Sequence, residues 1–227
     1  MEEKRLFEKY QPKTFDQVIG HSKAIREIKR ILARGWGGRA WWISGNSGIG
    51  KKTLARLIAR QGGNVIPFTR EIRSAERFTK GIYNHFFRPG QYTVIPEAYI
   101  INEAHCLKKS IVRLFMELLK ELPQNIVIIF TTTKAGEQTV FKGKKCKNPK
   151  KKKELLLEDN IDEDPFLHEI HLSDHKLAKP FAQRCREIAI AENLNGKPLE
   201  SYIKLAQKCK NNFRQILNEI ERGCMLN

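Results

Sequence analysis

Residues 40–54 read AWWISGNSGIGKKTL, and this stretch decides the fold class. Its first part, 40–43, is a short apolar run, which is typical of a strand buried on both faces of a sheet. Residues 45–51 match GxxxxGK, the pattern of a phosphate-binding P-loop that joins a strand to a helix. Apolar side chains then recur at helical spacing from Leu54 onward. A strand, a P-loop and a helix in this order predict an α/β fold with a nucleotide site.

The P-loop residues supply the chemistry for holding phosphate groups. Backbone N–H groups of a glycine-rich turn point inward around phosphate oxygens, and the N-terminus of the following helix adds partial positive charge. Lys51 is expected to reach the β- and γ-phosphates. The predicted ATP- or ADP-binding residues of this stretch are Gly45, Asn46, Ser47, Gly48, Ile49, Gly50, Lys51, Lys52 and Thr53.

The residue after Lys51 departs from the usual P-loop pattern. That position is normally Ser or Thr, whose hydroxyl binds Mg²⁺, whereas here it is Lys52. Thr53 follows about 100° further round the helix, so its hydroxyl is expected to point elsewhere. ATP and ADP are therefore the predicted cofactors. Mg²⁺ is a further candidate, but its site is atypical and the sequence assigns it no ligands.

Polar residues follow two later apolar strands. Asn102 and Glu103 end a segment that is similar to Walker B, hhhhDE, where the acid supports Mg²⁺ and the Glu polarises the attacking water. Thr132 and Thr133 follow the next strand and are candidates for holding that water, and Arg214 could reach the γ-phosphate from the last helix. Taken singly, these residues also fit a polar turn, ordinary β-forming threonines and an exposed arginine.

Apolar strands and helical patterns alternate along most of the chain, which indicates a parallel sheet between layers of helices. Strands are predicted over 40–43, 64–68, 98–102, 125–131 and 168–172, and helices over 14–34, 74–86 and 108–121. The remaining helices are predicted over 176–193, 199–210 and 212–222. We therefore predict an α/β nucleotide-binding domain over 1–173 and a small helical domain over 174–227.

A basic segment interrupts this pattern at 134–165. It has eight lysines between Lys142 and Lys153, followed by an acidic stretch at 154–164. We interpret it as a mobile surface loop. Candidate contacts to nucleic-acid phosphates, without base reading, are Lys150, Lys151, Lys152 and Lys153. The alternative is a solvated loop that its own acidic residues hold near neutrality.

The composition bounds the partners and the compartment. The formal net charge of +17 favours an anionic partner, most commonly nucleic acid, although a lysine-rich solvated surface is the alternative. The five cysteines form no CxxC pair, which fits free thiols in a reducing compartment, so a cytoplasmic location is expected. No apolar run approaches the roughly 20 residues that span a bilayer, and no membrane partner is expected.

Together these features resemble the AAA+ ATPases of DNA polymerase clamp loaders, the group of replication factor C and the polymerase III gamma and delta-prime subunits. The opening EKYQP at 8–12 and the residues up to His21 are similar to that group's EKYRP…F…VVGQ start. The resemblance covers nearly the whole chain and implies that Val18 and Ile19 pack around adenine. It also implies a five-stranded parallel sheet in the order 5-1-4-3-2, a helical lid, a sensor-1 threonine at Thr132 or Thr133, and Arg214 as sensor 2.

The chain also departs from that group. Gln11 replaces the arginine of KYRP, Lys52 and Asn102 alter both Mg²⁺-supporting positions, and the SRC motif that supplies an arginine finger is missing near 165–170. We expect an ATP-binding module that acts on DNA in replication with other AAA+ or replication subunits, with slow or partner-dependent hydrolysis. One alternative is a nucleotide-binding structural subunit without significant hydrolysis, as in delta-prime. Another is a DNA-tethering module whose nucleotide only stabilises the fold.

Overall fold

The computed structural model describes residues 5–62, 68–72, 96–107, 115, 119, 122–133 and 167–226. The helix predicted over 74–86 and the basic segment 134–165, with Lys150, Lys151, Lys152 and Lys153, lie outside the described residues. So do residues 64–67 of the strand predicted over 64–68 and most of the helix predicted over 108–121. Its two described residues, Phe115 and Leu119, are helical and buried.

The described strands form one parallel sheet. They are β1 (Arg39–Gly45), β2 (Phe68–Ile72), β3 (Glu97–Ile101), β4 (Ile126–Thr132) and β5 (Leu167–Leu172). Their order across the sheet is β2-β3-β4-β1-β5, and every neighbouring pair is parallel. The predicted α/β class with a parallel sheet is confirmed. β1 lies between β4 and β5. The P-loop that follows β1 is therefore at the carboxyl ends of the parallel strands, with a neighbouring strand on each side.

Six α-helices are described: three precede β2 in the chain and three follow β5. The first group is α1 (Leu6–Lys9), α2 (Ser22–Leu32) and α3 (Lys51–Ala59). The second is α4 (Ala178–Ala191), α5 (Leu199–Lys208) and α6 (Phe213–Glu221). Short 3₁₀ turns occupy Phe15–Gln17 and Ala104–Cys106.

The single helix predicted over 14–34 is wrong in its first half. A 3₁₀ turn is followed by a break, and α2 begins only at Ser22. Gly20 and His21 have φ angles of 78° and 41°, which a continuous right-handed helix does not allow. A β-carbon at Gly20 would also lie 2.4 Å from Leu177 Cδ2, so the break lets the chain pass close to the start of α4.

Two apolar clusters cover the two faces of the sheet. Alternate strand residues point to opposite faces, so Trp41 belongs to one cluster and Trp42 to the other. The cluster under Trp42 includes Phe115 and Leu119. The cluster under Trp41 continues through α2 and α3 into α4–α6. The central strands β1, β3 and β4 are buried almost throughout, without alternation, because both faces of the sheet are covered.

The N-terminal residues also contact the helical end of the chain. Leu6 N donates to Glu221 Oε1 at 3.1 Å, Lys9 Nζ pairs with Glu192, and the Tyr10 hydroxyl donates to Glu192. The division into domains at 1–173 and 174–227 stays a prediction. None of the described helices is long and apolar enough to cross a membrane.

Candidate nucleotide-binding site

The P-loop follows β1 directly and leads into α3. β1 ends at Gly45 and α3 begins at Lys51, so residues 46–50 form the turn between them. Gly45, Gly48 and Gly50 have φ angles of 144°, 74° and 111°, a region that side chains rarely adopt. The three glycines therefore allow the turn in which backbone N–H groups face a common centre.

Lys51 lies over this turn rather than in solvent. The residue is only 8% exposed, and its Nζ donates to the carbonyl oxygens of Gly45 and Asn46 at 2.8 and 2.6 Å. Burial lowers the pKa of Lys51 to about 8; the nearby carboxylate of Glu103 acts against this shift and Arg214 acts with it. The ammonium is thus held above the loop, where it is available to a phosphate group.

The two positions that usually support Mg²⁺ have other partners. Lys52 Nζ lies 2.7 Å from Glu71 Oε2 on β2, and Arg56, one turn further along α3, donates to the other oxygen of Glu71. Asn102 Oδ1 accepts a hydrogen bond of 3.1 Å from the Thr131 hydroxyl. An ammonium and a neutral amide offer no anionic oxygen to a hard cation. Lys52 and Asn102 therefore do not fit the Mg²⁺ of an ordinary P-loop.

The ends of β3 and β4 bring the remaining candidates together. Glu103 has a φ of 52°, and its Oε2 accepts a 3.3 Å hydrogen bond from the Thr133 hydroxyl. His105 Nδ1 lies 3.5 Å from the same carboxylate oxygen and 3.2 Å from the Thr132 hydroxyl oxygen. Thr132 is buried, whereas Glu103 is half exposed. This cluster can orient a carboxylate towards water near the P-loop.

The helical end of the chain contacts the top of the P-loop. Phe213 N, at the start of α6, donates to the Gly48 carbonyl at 3.1 Å. A β-carbon at Gly48 would lie 1.8 Å from Oδ1 of Asn212, which caps α6 by accepting from Gln215 N. Asn46 Nδ2 also donates to Asp174 Oδ2 at 2.8 Å. The loop therefore meets the start of α6 through a backbone hydrogen bond and Asn212, and it meets the segment before α4 through Asn46.

Arg214, the predicted sensor-2 residue, lies on the first turn of α6. Its side chain is exposed, and the guanidinium carbon is 5.4 Å from the centre of the Phe7 ring. The positive charge is near enough to contribute to the lowered pKa of Lys51. Arg214 thus stands on the P-loop side of α6, while the opposite face is buried through Ile216, Leu217 and Ile220.

The predicted adenine-contacting residues directly precede a stretch that lies close to the P-loop and to the start of α4. Val18 and Ile19 are partly buried against the core, and Gly20 touches Leu177. His21 Nε2 is 2.8 Å from the Ile49 carbonyl, and burial lowers the pKa of His21. Of the other predicted loop residues, Ser47 is exposed and Thr53 is half-buried on α3.

Sequence reasoning missed four residues of this site: Glu71, His105, Asp174 and Asn212. Each acts through a partner distant in the chain, such as Asn46, which is 128 positions from Asp174. Only Asn212 carried a local signal, because asparagine favours the residue before a helix. In the described part of the chain, no group of three His, Cys, Asp or Glu side chains is arranged to hold a metal ion.

A P-loop inside a parallel sheet of this strand order, with a helical segment on the loop, defines a P-loop NTPase fold of the AAA+ kind. Solved structures of Thermotoga maritima RuvB share this fold. One of them, an arginine-to-alanine variant, has a TM-score of 0.65 at 17% identity, covering 94% of this chain and 64% of that one. The structure of the RuvB Holliday junction branch migration motor has a TM-score of 0.62 at 14% identity, with the same coverage.

Curated relatives point to one group of replication proteins. DNA polymerase III subunit gamma of Buchnera aphidicola subsp. Schizaphis graminum is 28% identical over 152 residues, which is 56% of this chain and 42% of that subunit. Subunit tau of Escherichia coli is 24% identical over 153 residues, 56% of this chain and 24% of that subunit. No family model matches the chain.

The resemblance to clamp-loader AAA+ ATPases is confirmed: homologues of this chain are DNA polymerase III gamma and tau subunits, at modest identity over about half its length. The chain spans 42% or less of the curated relatives quoted above.

Proposed function

We propose that this chain is an ATP-binding AAA+ module of the clamp-loader type that acts in DNA replication, in the cytoplasm, beside other replication subunits. ATP binding, and slow or partner-dependent hydrolysis, are coupled to the handling of DNA or of a partner protein. In this proposal the phosphates lie over residues 45–53 and the adenine against Val18 and Ile19. The helical end, 174–227, acts as the lid of the α/β domain.

One observation carries this proposal. Lys51 is buried over a glycine-rich turn at the carboxyl edge of a parallel sheet, and its charge interacts with both Glu103 and Arg214. Lys51 would bind phosphate, Glu103 would act as general base, and Arg214 would contact the γ-phosphate from the lid. Thr132 and Thr133, which the structure links to His105 and Glu103, would hold the attacking water.

The second candidate is a nucleotide-binding structural subunit without significant hydrolysis. Lys52 and Asn102 favour it, because neither offers an anionic oxygen at the positions that support Mg²⁺. The two candidates agree on binding and differ in turnover. Steady-state ATPase assays with and without primed DNA therefore separate them: turnover above that of a Glu103→Gln variant supports the enzyme, and equal rates support the structural subunit.

Nucleotide binding itself is tested by Lys51→Ala, with the exposed Lys204→Ala as the matched control. Equilibrium dialysis with ATP should show loss of binding in Lys51→Ala only, because the phosphates lose their main point charge. Equal binding by Lys51→Ala and the parent would show that the P-loop assignment is wrong.

Contact with DNA is proposed from the lysine-rich composition of residues 134–165. Replacing Lys150, Lys151, Lys152 and Lys153 by Gln should weaken DNA binding evenly across sequences and reduce its dependence on salt. Fluorescence anisotropy at several salt concentrations measures both effects. An unchanged salt slope would remove this segment from the DNA interface and leave the solvated-loop interpretation.

A further inference from the structure

The charges around the first turn of α3 are arranged differently from those of a metal-holding P-loop. Glu71 forms two ion pairs: its Oε2 lies 2.7 Å from Lys52 Nζ, and its Oε1 pairs with Arg56 Nε. One carboxylate therefore stands between two cations, and the three side chains together carry a net positive charge. Arg56 also donates to Gln11 Oε1 at 3.2 Å, so its guanidinium is bonded to a second partner besides Glu71.

The ion pair with Glu71 holds the Lys52 ammonium in place but does not bury it. Burial raises the pKa of Glu71, but the hydrogen bonds from Arg56 and Lys52 outweigh this and lower it overall, so the carboxylate is ionised at neutral pH. The Lys52 side chain is 33% exposed and that of Glu71 21% exposed. The lysine can therefore leave Glu71 without opening the core, and Arg56 remains to balance the carboxylate.

The other side of the site supplies no compensating negative charge at position 102. Asn102 is neutral and already accepts a hydrogen bond from Thr131. The nearby carboxylate of Glu103 is held by the Thr133 hydroxyl. A bound divalent ion would meet the ammonium of Lys52 without an acidic group at position 102, whereas a metal-free triphosphate would gain from that ammonium.

We propose that this site binds nucleoside triphosphate without Mg²⁺, and that Lys52, shared between Glu71 and the phosphates, supplies positive charge in place of the ion. This inference rests on the proposed function, because it requires nucleotide at the P-loop. Glu71 then sets the affinity: the more firmly it holds Lys52, the less of that charge reaches the phosphates. A lysine cannot impose the octahedral geometry of Mg²⁺, so binding is retained while hydrolysis is slow.

Calorimetric titration of the full chain with ATP, in excess EDTA and in millimolar Mg²⁺, tests the proposal. The parent should bind with affinities that agree within about threefold in the two buffers. Lys52→Gln should lose about tenfold in EDTA. Glu71→Gln should gain about threefold in EDTA, because Lys52 is released, and Glu71→Gln with Lys52→Gln should show no such gain.

A second variant pair tests the reverse change. Lys52→Thr with Asn102→Asp restores the usual ligand types and should make ATP binding depend on Mg²⁺ by about tenfold or more. Thermal unfolding of each variant establishes that it is folded, and Arg56 is left unchanged so that Glu71 keeps a partner.

The outcomes distinguish this inference from the proposed function. Binding by the parent in Mg²⁺ that is lost in EDTA, and lost again in Lys51→Ala, would overturn the inference and keep the proposed function. Binding in neither buffer would overturn both. A gain in Glu71→Gln that persists when Lys52 is also replaced would show that Glu71 acts only through its own charge, and would remove Lys52 from the phosphate site.

Discussion

The two halves of the candidate site differ in how far they follow the ordinary P-loop pattern. The phosphate-holding half, residues 45–51, has the expected glycines, the expected turn and a lysine over that turn. The metal-facing half, Lys52 and Asn102, has different residue types, and both are bound to partners elsewhere in the fold. The first half depends on backbone shape, and the second depends on side-chain identity.

This difference separates binding from turnover. Backbone N–H groups and one ammonium suffice to hold phosphates, whereas hydrolysis also requires a placed metal ion or its equivalent, a base and a positioned water. A chain can therefore change its metal-facing half and still bind nucleotide. The predictions below change either a residue of the phosphate-holding half or a residue proposed to act in turnover.

After the loss of binding expected for Lys51→Ala, the largest effect is expected from Gly48→Ala in the phosphate-holding half. The φ of 74° would be strained by a side chain, and the added β-carbon would lie 1.8 Å from Asn212 Oδ1. Because the turn must then deform, we expect ATP affinity to fall by about 100-fold, or about 3 kcal/mol, in calorimetric titration.

Gly35→Ala is the matched control for this change. Gly35 also has a positive φ, 127°, but it precedes β1 and so lies at the opposite end of the strand from the P-loop. It should reduce the thermal stability without changing the affinity of the folded protein for ATP. Equal losses of affinity in both variants would show that the effect is not local to the loop.

Glu103→Gln should separate the two halves most clearly. The change removes a carboxylate that Thr133 and His105 orient, but leaves the P-loop intact. We expect turnover to fall by about 30-fold while ATP affinity changes less than about twofold. The exposed Glu200→Gln serves as control, and single-turnover kinetics measure the effect. A parallel loss of affinity would place Glu103 in the binding half.

Affinity should also depend on pH through Lys51. Burial lowers its pKa to about 8, and bound phosphate would favour the charged form, so ATP binding takes up a proton above that pH. Affinity therefore falls as the pH rises, by about tenfold between about pH 8 and pH 9.5. Calorimetry in buffers of different ionisation enthalpy measures the proton uptake. Lys51→Arg, whose charge is fixed, should lack it.

Arg214→Ala should have the smallest effect. The guanidinium is exposed over Phe7, so solvent screens its attraction for phosphate, and we expect ATP affinity to fall by about threefold. Arg222→Ala, also on the helical end and paired with Glu219, is the control and should leave affinity unchanged. A loss as large as that of Gly48→Ala would mean that the lid arginine, rather than the loop, dominates binding.

The sequence predicted best what is decided locally. β1, the P-loop and α3 follow from one short stretch, and β3, β4 and β5 match the predicted strands within one residue at each end, because apolar runs mark them. The start of α2 was wrong because its limit is set by the contact between Gly20 and Leu177, residues that lie far apart in the chain.

The partners of the unusual residues were not predictable for the same reason. Lys52 was predicted to bind nucleotide, and its ion pair with Glu71 depends on where β2 lies beside α3. The hydrogen bonds of Asp174 and His105 likewise become predictable only once β5 is known to lie beside β1, and β4 beside β3. Residue types and spacing identify such a site, but they do not show which charges are already balanced within the fold.

The hydrogen bond from Phe213 N to the Gly48 carbonyl has a mechanical consequence. Because the start of α6 is bonded to the loop, it would act as a pivot for the helix. At about 1.5 Å per residue, the far end of α6 is about 12 Å from this point. A tilt of about 10° at the pivot moves that far end by about 2 Å. Leu6, whose N–H is bound to Glu221 on the last turn of α6, would move with it. A rearrangement of one peptide group at the loop would thus be amplified and delivered to the opposite end of the chain.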